Sequence, residues 1–323
     1  MSKNLYIIGN GFDIWQGLPT SYDNFNCYMC RNHSESHERI GQMYNQLNRN
    51  MLWKDFENQL SELNITRLVE RNVDHWLNLM YANINNQLYV ETEISNSFDT
   101  LDQDIKDFFH EWVNNIDYSK ANNKRISNIC KDKNALFLTF NYTNTLERFY
   151  EVQEERICYI HRCTSNNSLL RPVVGHGISN NIIEKSVDNL HDVICKLVIS
   201  HNKLSDIQLQ CEHMADMIIS QIKEFLNGLY KDTKSCLDDN GTWFSKLTDI
   251  ENIYVLGHSL SEVDARYFEF IRKKNPDAKW HVSYYGENDK GSKERDLRKL
   301  LKDTKTHAIL IKPFQLDDLC CKE

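Results

Sequence analysis

Leu5-Tyr6-Ile7-Ile8-Gly9-Asn10-Gly11-Phe12-Asp13 is the stretch whose reading decides the fold. Four consecutive apolar residues suit a strand buried on both faces, as in a parallel sheet. The Gly9-Asn10-Gly11 turn that closes the run permits positive φ and lets backbone N–H groups come close to an anion. A helix starting there would add its dipole to the same end. Working outward, short apolar or aromatic runs recur at 135–140, 157–160, 253–256, 280–285 and 308–311. Helical sequence separates the later ones, near 262–274 and 290–301, so each strand–helix–strand unit reads as a βαβ crossover. The pattern predicts an α/β fold: a doubly wound, mostly parallel, Rossmann-type sheet with two large helical insertions.

Those insertions break the rhythm at 22–133 and 180–248. In them apolar residues keep helical spacing: Trp53, Phe56 and Leu60; Leu101, Ile105, Phe108 and Trp112; Ile218, Ile222, Phe225 and Leu229. The expected division is therefore a nucleotide-binding α/β domain built from 1–21, 134–179 and 249–323. The helical segments 22–133 and 180–248 would form a second layer or subdomain.

Composition narrows the function classes. With 38 Lys+Arg against 46 Asp+Glu, the 323-residue chain carries a formal charge of −8, which argues against a nucleic-acid binder gripping phosphate backbone. No run approaches the ~20 apolar residues of a membrane span, and the N-terminal apolar run is too short for a signal peptide. A cytoplasmic protein with no membrane partner is expected. Ten scattered cysteines read as free thiols in a reducing compartment. Cys27-x-x-Cys30-x-x-His33-x-x-x-His37 lies on helical sequence, where four ligands on one stripe cannot surround a tetrahedral ion. It reads as core thiols beside surface histidines, and no metal is expected. The terminal Cys320-Cys321-Lys322-Glu323 lacks the composition of a lipidation box.

Three strand ends carry the chemistry. After the first come Gly9, Asn10, Gly11, Phe12 and Asp13. The second places Thr139 and Asn141 at its C-terminal edge, where ligands sit in open α/β sheets, and Tyr159-Ile160-His161 follows one strand later. The third is Gly257-His258-Ser259-Leu260, with Asp264 opening the next helix. An asparagine amide can order ribose hydroxyls or a water, and a histidine near neutral pKa can accept a hydroxyl proton. His176, flanked by Gly175 and Gly177, is a second candidate base. Asp264 has the position of an acid that hydrogen-bonds a ribose diol. A Ser-hydrolase elbow is excluded, because Ser261 stands where Gly-x-Ser-x-Gly requires its last glycine.

The turn Gly9-x-Gly11 with Gly17-Leu18-Pro19, the Thr139-x-Asn141 strand end, His161, and Gly257-x-Ser259-Leu260 resemble the motifs of sirtuin-like NAD-binding domains. The ordered series Gly9-Asn10-Gly11-Phe12-Asp13, Gly17-Leu18-Pro19-Thr20-Ser21-Tyr22, Trp53-x-Asp55-Phe56-Glu57, Thr139–Thr143, Tyr159–His161 and Gly257–Asp264 resembles the AbiH family of bacterial abortive-infection proteins. The resemblance implies an anti-phage effector that binds NAD and cleaves its nicotinamide–ribose bond. In it Gly9, Asn10, Gly11, Phe12, Thr139, Gly257, His258, Ser259 and Asp264 would line the dinucleotide. Asn141 and Asp13, with His161 or His176 as base, would carry the reaction. A homo-oligomer and a phage-derived trigger are the further partners it implies. Two other readings stand beside it: a non-catalytic nucleotide sensor, and a Mg-dependent nuclease using Asp13, Asp55, Glu57 and Asp264.

Overall fold

The computed structural model describes residues 4–44, 49–82, 87–98, 101–122, 126, 129, 131–163, 171–201, 208–301 and 308–311. The chain divides into two compact units. One comprises Met1–Asn24, Phe109–Val173 and Asp232–Glu323, and the other Phe25–Phe108 and Val174–Lys231. Residues 1–3 and the terminal Cys320-Cys321-Lys322-Glu323 segment lie outside the described residues.

The first unit is built on a six-stranded sheet: β1 (Asn4–Ile8), β2 (Leu136–Thr139), β3 (Ile157–Tyr159), β4 (Asn252–Leu256), β5 (Lys279–Ser283) and β6 (Ala308–Ile311). Their order is β3-β2-β1-β4-β5-β6, and every pairing is parallel. β1 is central because it is apolar on both faces. Leu5 and Ile7 enter one core with Leu138, Val255, Phe244, Tyr267 and Trp280. Tyr6 and Ile8 enter the other with Phe12, Phe137, Leu146 and Tyr150. Full burial of one such side chain contributes roughly 1.5–3 kcal/mol. On the second face cross-strand rings form a ladder, with centroids 5.2 Å apart for Tyr6–Phe137, 5.0 Å for Tyr6–Tyr254 and 4.7 Å for Tyr254–His281. The sheet grows from β1 in one direction through β2 and β3 and in the other through β4. The β1/β4 boundary is therefore a topological switch point, where open sheets leave a crevice at the strands' C-terminal ends.

The unit extends beyond the segments expected for it, taking in 109–133 and 232–248. Apolar packing is the reason. Cys236, Trp243, Phe244 and Leu247 belong to the sheet's first core, and Ile126 and Ile129 to its second.

The second unit is helical and draws on both insertions. The helix Ile65–Ala82 packs on His191–His201, and Gln208–Gly228 packs on Gln87–Asn96. The buried stripe of Ile218, Ile222, Phe225 and Leu229 follows the expected spacing. Trp53 and Phe56 do not share one helix. The chain breaks at Asp55, between helices Arg49–Lys54 and Phe56–Gln59, and the two rings stack face to face at 5.2 Å. Cys27 and Cys30 are exposed rather than core thiols. The ring of His33 instead stacks on Phe108 at 3.7 Å, and that of His37 stacks on Trp53. Among the described residues no helix is long and apolar enough to cross a membrane.

Candidate active site

The C-terminal rim of the sheet gathers polar side chains that an apolar α/β core does not require. Asp13 sits in the first turn of the short helix Asn10–Trp15 and is fully buried. Its Oδ2 accepts a short hydrogen bond from the Thr143 hydroxyl, which lies 3.1 Å from that of Thr145. Oδ1 of Asp13 has no hydrogen-bond partner among the described residues. Burial pushes this carboxyl up from 3.8 to about 6, with Thr143, Thr145 and Asn141 offsetting part of the rise.

Asn141 leaves the end of β2 with its backbone N–H donated to Thr139 Oγ1 at 3.1 Å. Its side chain is buried and lies near enough to the Asp13 carboxyl to favour the charged form, but neither Oδ1 nor Nδ2 makes a hydrogen bond of good geometry among the described residues. A buried amide with no partner loses about 1–3 kcal/mol for each group so stranded. A ligand bearing both a donor and an acceptor would recover that energy. Vicinal sugar hydroxyls have this chemistry, and a purely anionic group does not.

His161, two residues past β3, is buried, and its Nε2 lies 3.7 Å from Asp264 Oδ1. His258, in the turn after β4, lies 3.4 Å through its own Nε2 from Asp264 Oδ2. Asp264, read from sequence as facing a ribose diol, is thus enclosed between two buried imidazoles. Phe140, from the end of β2, sets its ring edge-on to both, 5.3 Å from His161 and 4.3 Å from His258.

The glycine turn packs backbone to backbone against the turn after β4. Gly9 N–H donates to Leu256 O, Gly11 N–H to Gly257 O, and Phe12 N–H to Gly9 O. These three donors are engaged within the protein. A Cβ on Gly9 would lie 2.4 Å from His258 Cα, and one on Gly11 would lie 2.8 Å from Gly257 O. The glycines let the β1 and β4 turns touch through their backbones. Phe12 belongs to the core beneath, against Trp15 and Tyr150. Asn10 donates through Nδ2 to Thr20 O at 2.7 Å, and Ser259 is exposed.

His176 lies in the helical unit. Its Nδ1 accepts the Ile178 N–H at 3.3 Å and its Nε2 lies 2.9 Å from Leu226 O, so both ring nitrogens hold backbone. Burial lowers its basicity. Glu57, in the same unit, pairs with the fully buried Lys231 at 3.1 Å, and Asp55 accepts from Asn58. Of the four acids of the nuclease reading, Asp13 and Asp264 belong to one unit and Asp55 and Glu57 to the other. Three contributors to the rim carried no sequence signal strong enough to single them out. Thr143 and Thr145 read as ordinary helix-start residues, and Lys293, whose Nζ donates to His258 O, reads as part of a solvated face.

The motif series has its counterpart in the family models. The model described as "Bacteriophage abortive infection AbiH" matches residues 5–284. The chain belongs to the AbiH family. AbiH membership covers most of the sequence and places the protein among those of bacteriophage abortive infection. No curated protein and no solved structure matches. The span matched to AbiH includes Asp13, Asn141, His161, His258 and Asp264, whereas Lys293 lies beyond it.

Proposed function

We propose that this AbiH protein is an abortive-infection effector that binds NAD at the C-terminal rim of its sheet and hydrolyses the nicotinamide–ribose bond. The observation that carries the reading is Asn141: a buried amide whose Oδ1 and Nδ2 make no hydrogen bond of good geometry among the described residues, set at a strand end beside the buried Asp13 carboxyl and one strand from a buried histidine. Its Oδ1 and Nδ2 suit the two hydroxyls of the reacting ribose, holding the sugar where C1′ meets water.

In this reaction the C1′–N bond breaks and its electron pair leaves with the neutral nicotinamide, so positive charge develops on the ribose. Water adds at C1′ and gives up a proton, leaving ADP-ribose. His161 is the base that takes this proton. His176 is not used, because both of its ring nitrogens hold backbone. The Asp13 carboxyl, held by Thr143, interacts with the Asn141 side chain and helps to fix its orientation. The diphosphate draws nothing from the N–H groups of Gly9, Gly11 and Phe12, which are engaged within the turn.

Purified protein incubated with NAD tests the proposal. Equimolar nicotinamide and ADP-ribose are expected, and Asn141→Ala should lower the rate at least ~10²-fold without unfolding the chain. Full turnover by that variant excludes the mechanism. NAD binding by calorimetry with no product assigns the rim to a nucleotide sensor instead.

A further inference from the structure

We infer that Asp264 and His258 form a positioning pair for His161, in which His258 is locked as a neutral hydrogen-bond donor and His161 is the ring that takes up the proton. The inference rests on the reading of His161 as the base, and its first test needs no catalysis.

The asymmetry follows from one backbone bond. Leu260 adopts a left-handed conformation, φ 64°, which is unfavourable for a residue bearing a β-carbon. That turn aims its N–H at His258 Nδ1, 2.8 Å away. A nitrogen that accepts a hydrogen bond carries no proton, so the ring proton of His258 is on Nε2, the atom 3.4 Å from Asp264 Oδ2. Protonating His258 would require Nδ1 to surrender the Leu260 bond inside the core. The turn is also held from below, where the Lys293 ammonium donates to the His258 carbonyl.

Asp264 therefore receives a neutral donor on one oxygen, and its other oxygen faces His161 Nε2 at 3.7 Å. Little water reaches the three side chains, which are 2–7% exposed, so the carboxylate acts on His161 at low effective dielectric. Among the described residues, Asp264, the rings of Tyr142 and Tyr267 at 6.1 and 5.7 Å, and the edge of Phe140 face the imidazole of His161. Arg162, the next residue, turns outward toward Asp239. Asp264 brings a negative charge to within 3.7 Å of the ring. A base about to accept a proton gains from a carboxylate that both orients the ring and stabilises the imidazolium.

Histidine-selective nitrogen NMR on the wild-type chain reads the first half directly. His258 should show a protonated Nε2, an unprotonated Nδ1 and no titration between pH 5 and 8. A protonated Nδ1 on His258, or a titration in that range, overturns the assignment. Asp264→Asn preserves shape and removes charge, and should move the His161 midpoint to lower pH by about one unit or more. An unchanged midpoint sinks the pairing. Nicotinamide release by Asp264→Asn should fall with its pH profile displaced the same way, and Asp264→Glu should restore part of both. If the NMR results hold and no variant or wild type releases nicotinamide, the pair stands and the hydrolase reading alone fails.

Discussion

Asp13 is the residue at which burial and chemistry pull hardest against each other. A folded-state value of about 6 against an ordinary 3.8 means that the native protein holds this proton more tightly than the unfolded chain. The stabilisation is complete below pH ~4 and is lost as the pH rises through 6, an effect of about 3 kcal/mol for a shift of this size. Asp13→Asn keeps an oxygen to accept the Thr143 hydroxyl and removes the titration. Urea unfolding should show the variant more stable by about 2–3 kcal/mol at pH 8, with the gap closing toward pH 4. A gap that stays constant from pH 4 to 8 would mean that Asp13 is not the titrating group. A carboxyl retained at this cost points to work done at the site.

The β1 and β4 turns are the elements on which the rim depends. Gly257 has φ 67°, its N–H donates to Ser283 Oγ, and a Cβ placed there would lie 2.1 Å from Phe12 N. Gly257→Ala therefore adds backbone strain to overpacking against main chain that cannot move aside. A loss of about 2–4 kcal/mol is expected by chemical denaturation, with the aromatic near-ultraviolet signal of the rim altered. Wild-type stability in that variant would show that the turns are not in backbone contact. All six strands were legible from runs of four to six apolar residues, because burial on both faces leaves no room for polar alternation. The task of the glycines was not legible. Gly-x-Gly after a strand has the same spacing whether its amides face an anion or a neighbouring turn, and only the position of Gly257 decides between them.

At the scale of the whole molecule, the helical unit is stitched together from two distant segments, and its buried ion pair spans them. Glu57 comes from the first insertion and Lys231 from the end of the second, with the lysine side chain fully buried. Glu57→Gln removes a carboxylate from a fully buried ammonium, and breaking a buried pair in this way costs up to about 3–5 kcal/mol. Thermal unfolding should fall accordingly, while nicotinamide release per folded molecule stays at the wild-type level. A parallel loss of turnover at full folding would instead place Glu57 in the chemistry. The Trp53-x-Asp55-Phe56-Glu57 box thus joins aromatic stacking to an ion pair inside one unit, a use its residue types alone do not reveal.

What the sequence determined by itself was local and periodic. It set the strands, the helical character of the insertions, the polar strand ends and the AbiH motif series, because each is written in neighbouring residues or a short repeat. Tertiary structure alone decided which polar groups are satisfied and which are left over. His176 and Glu57 found partners far along the chain, Asp264 was enclosed by His161 and His258, and Asn141 was buried with no hydrogen bond of good geometry among the described residues. Hydrogen-bond satisfaction is a property of three-dimensional neighbours, and no spacing in one dimension encodes it.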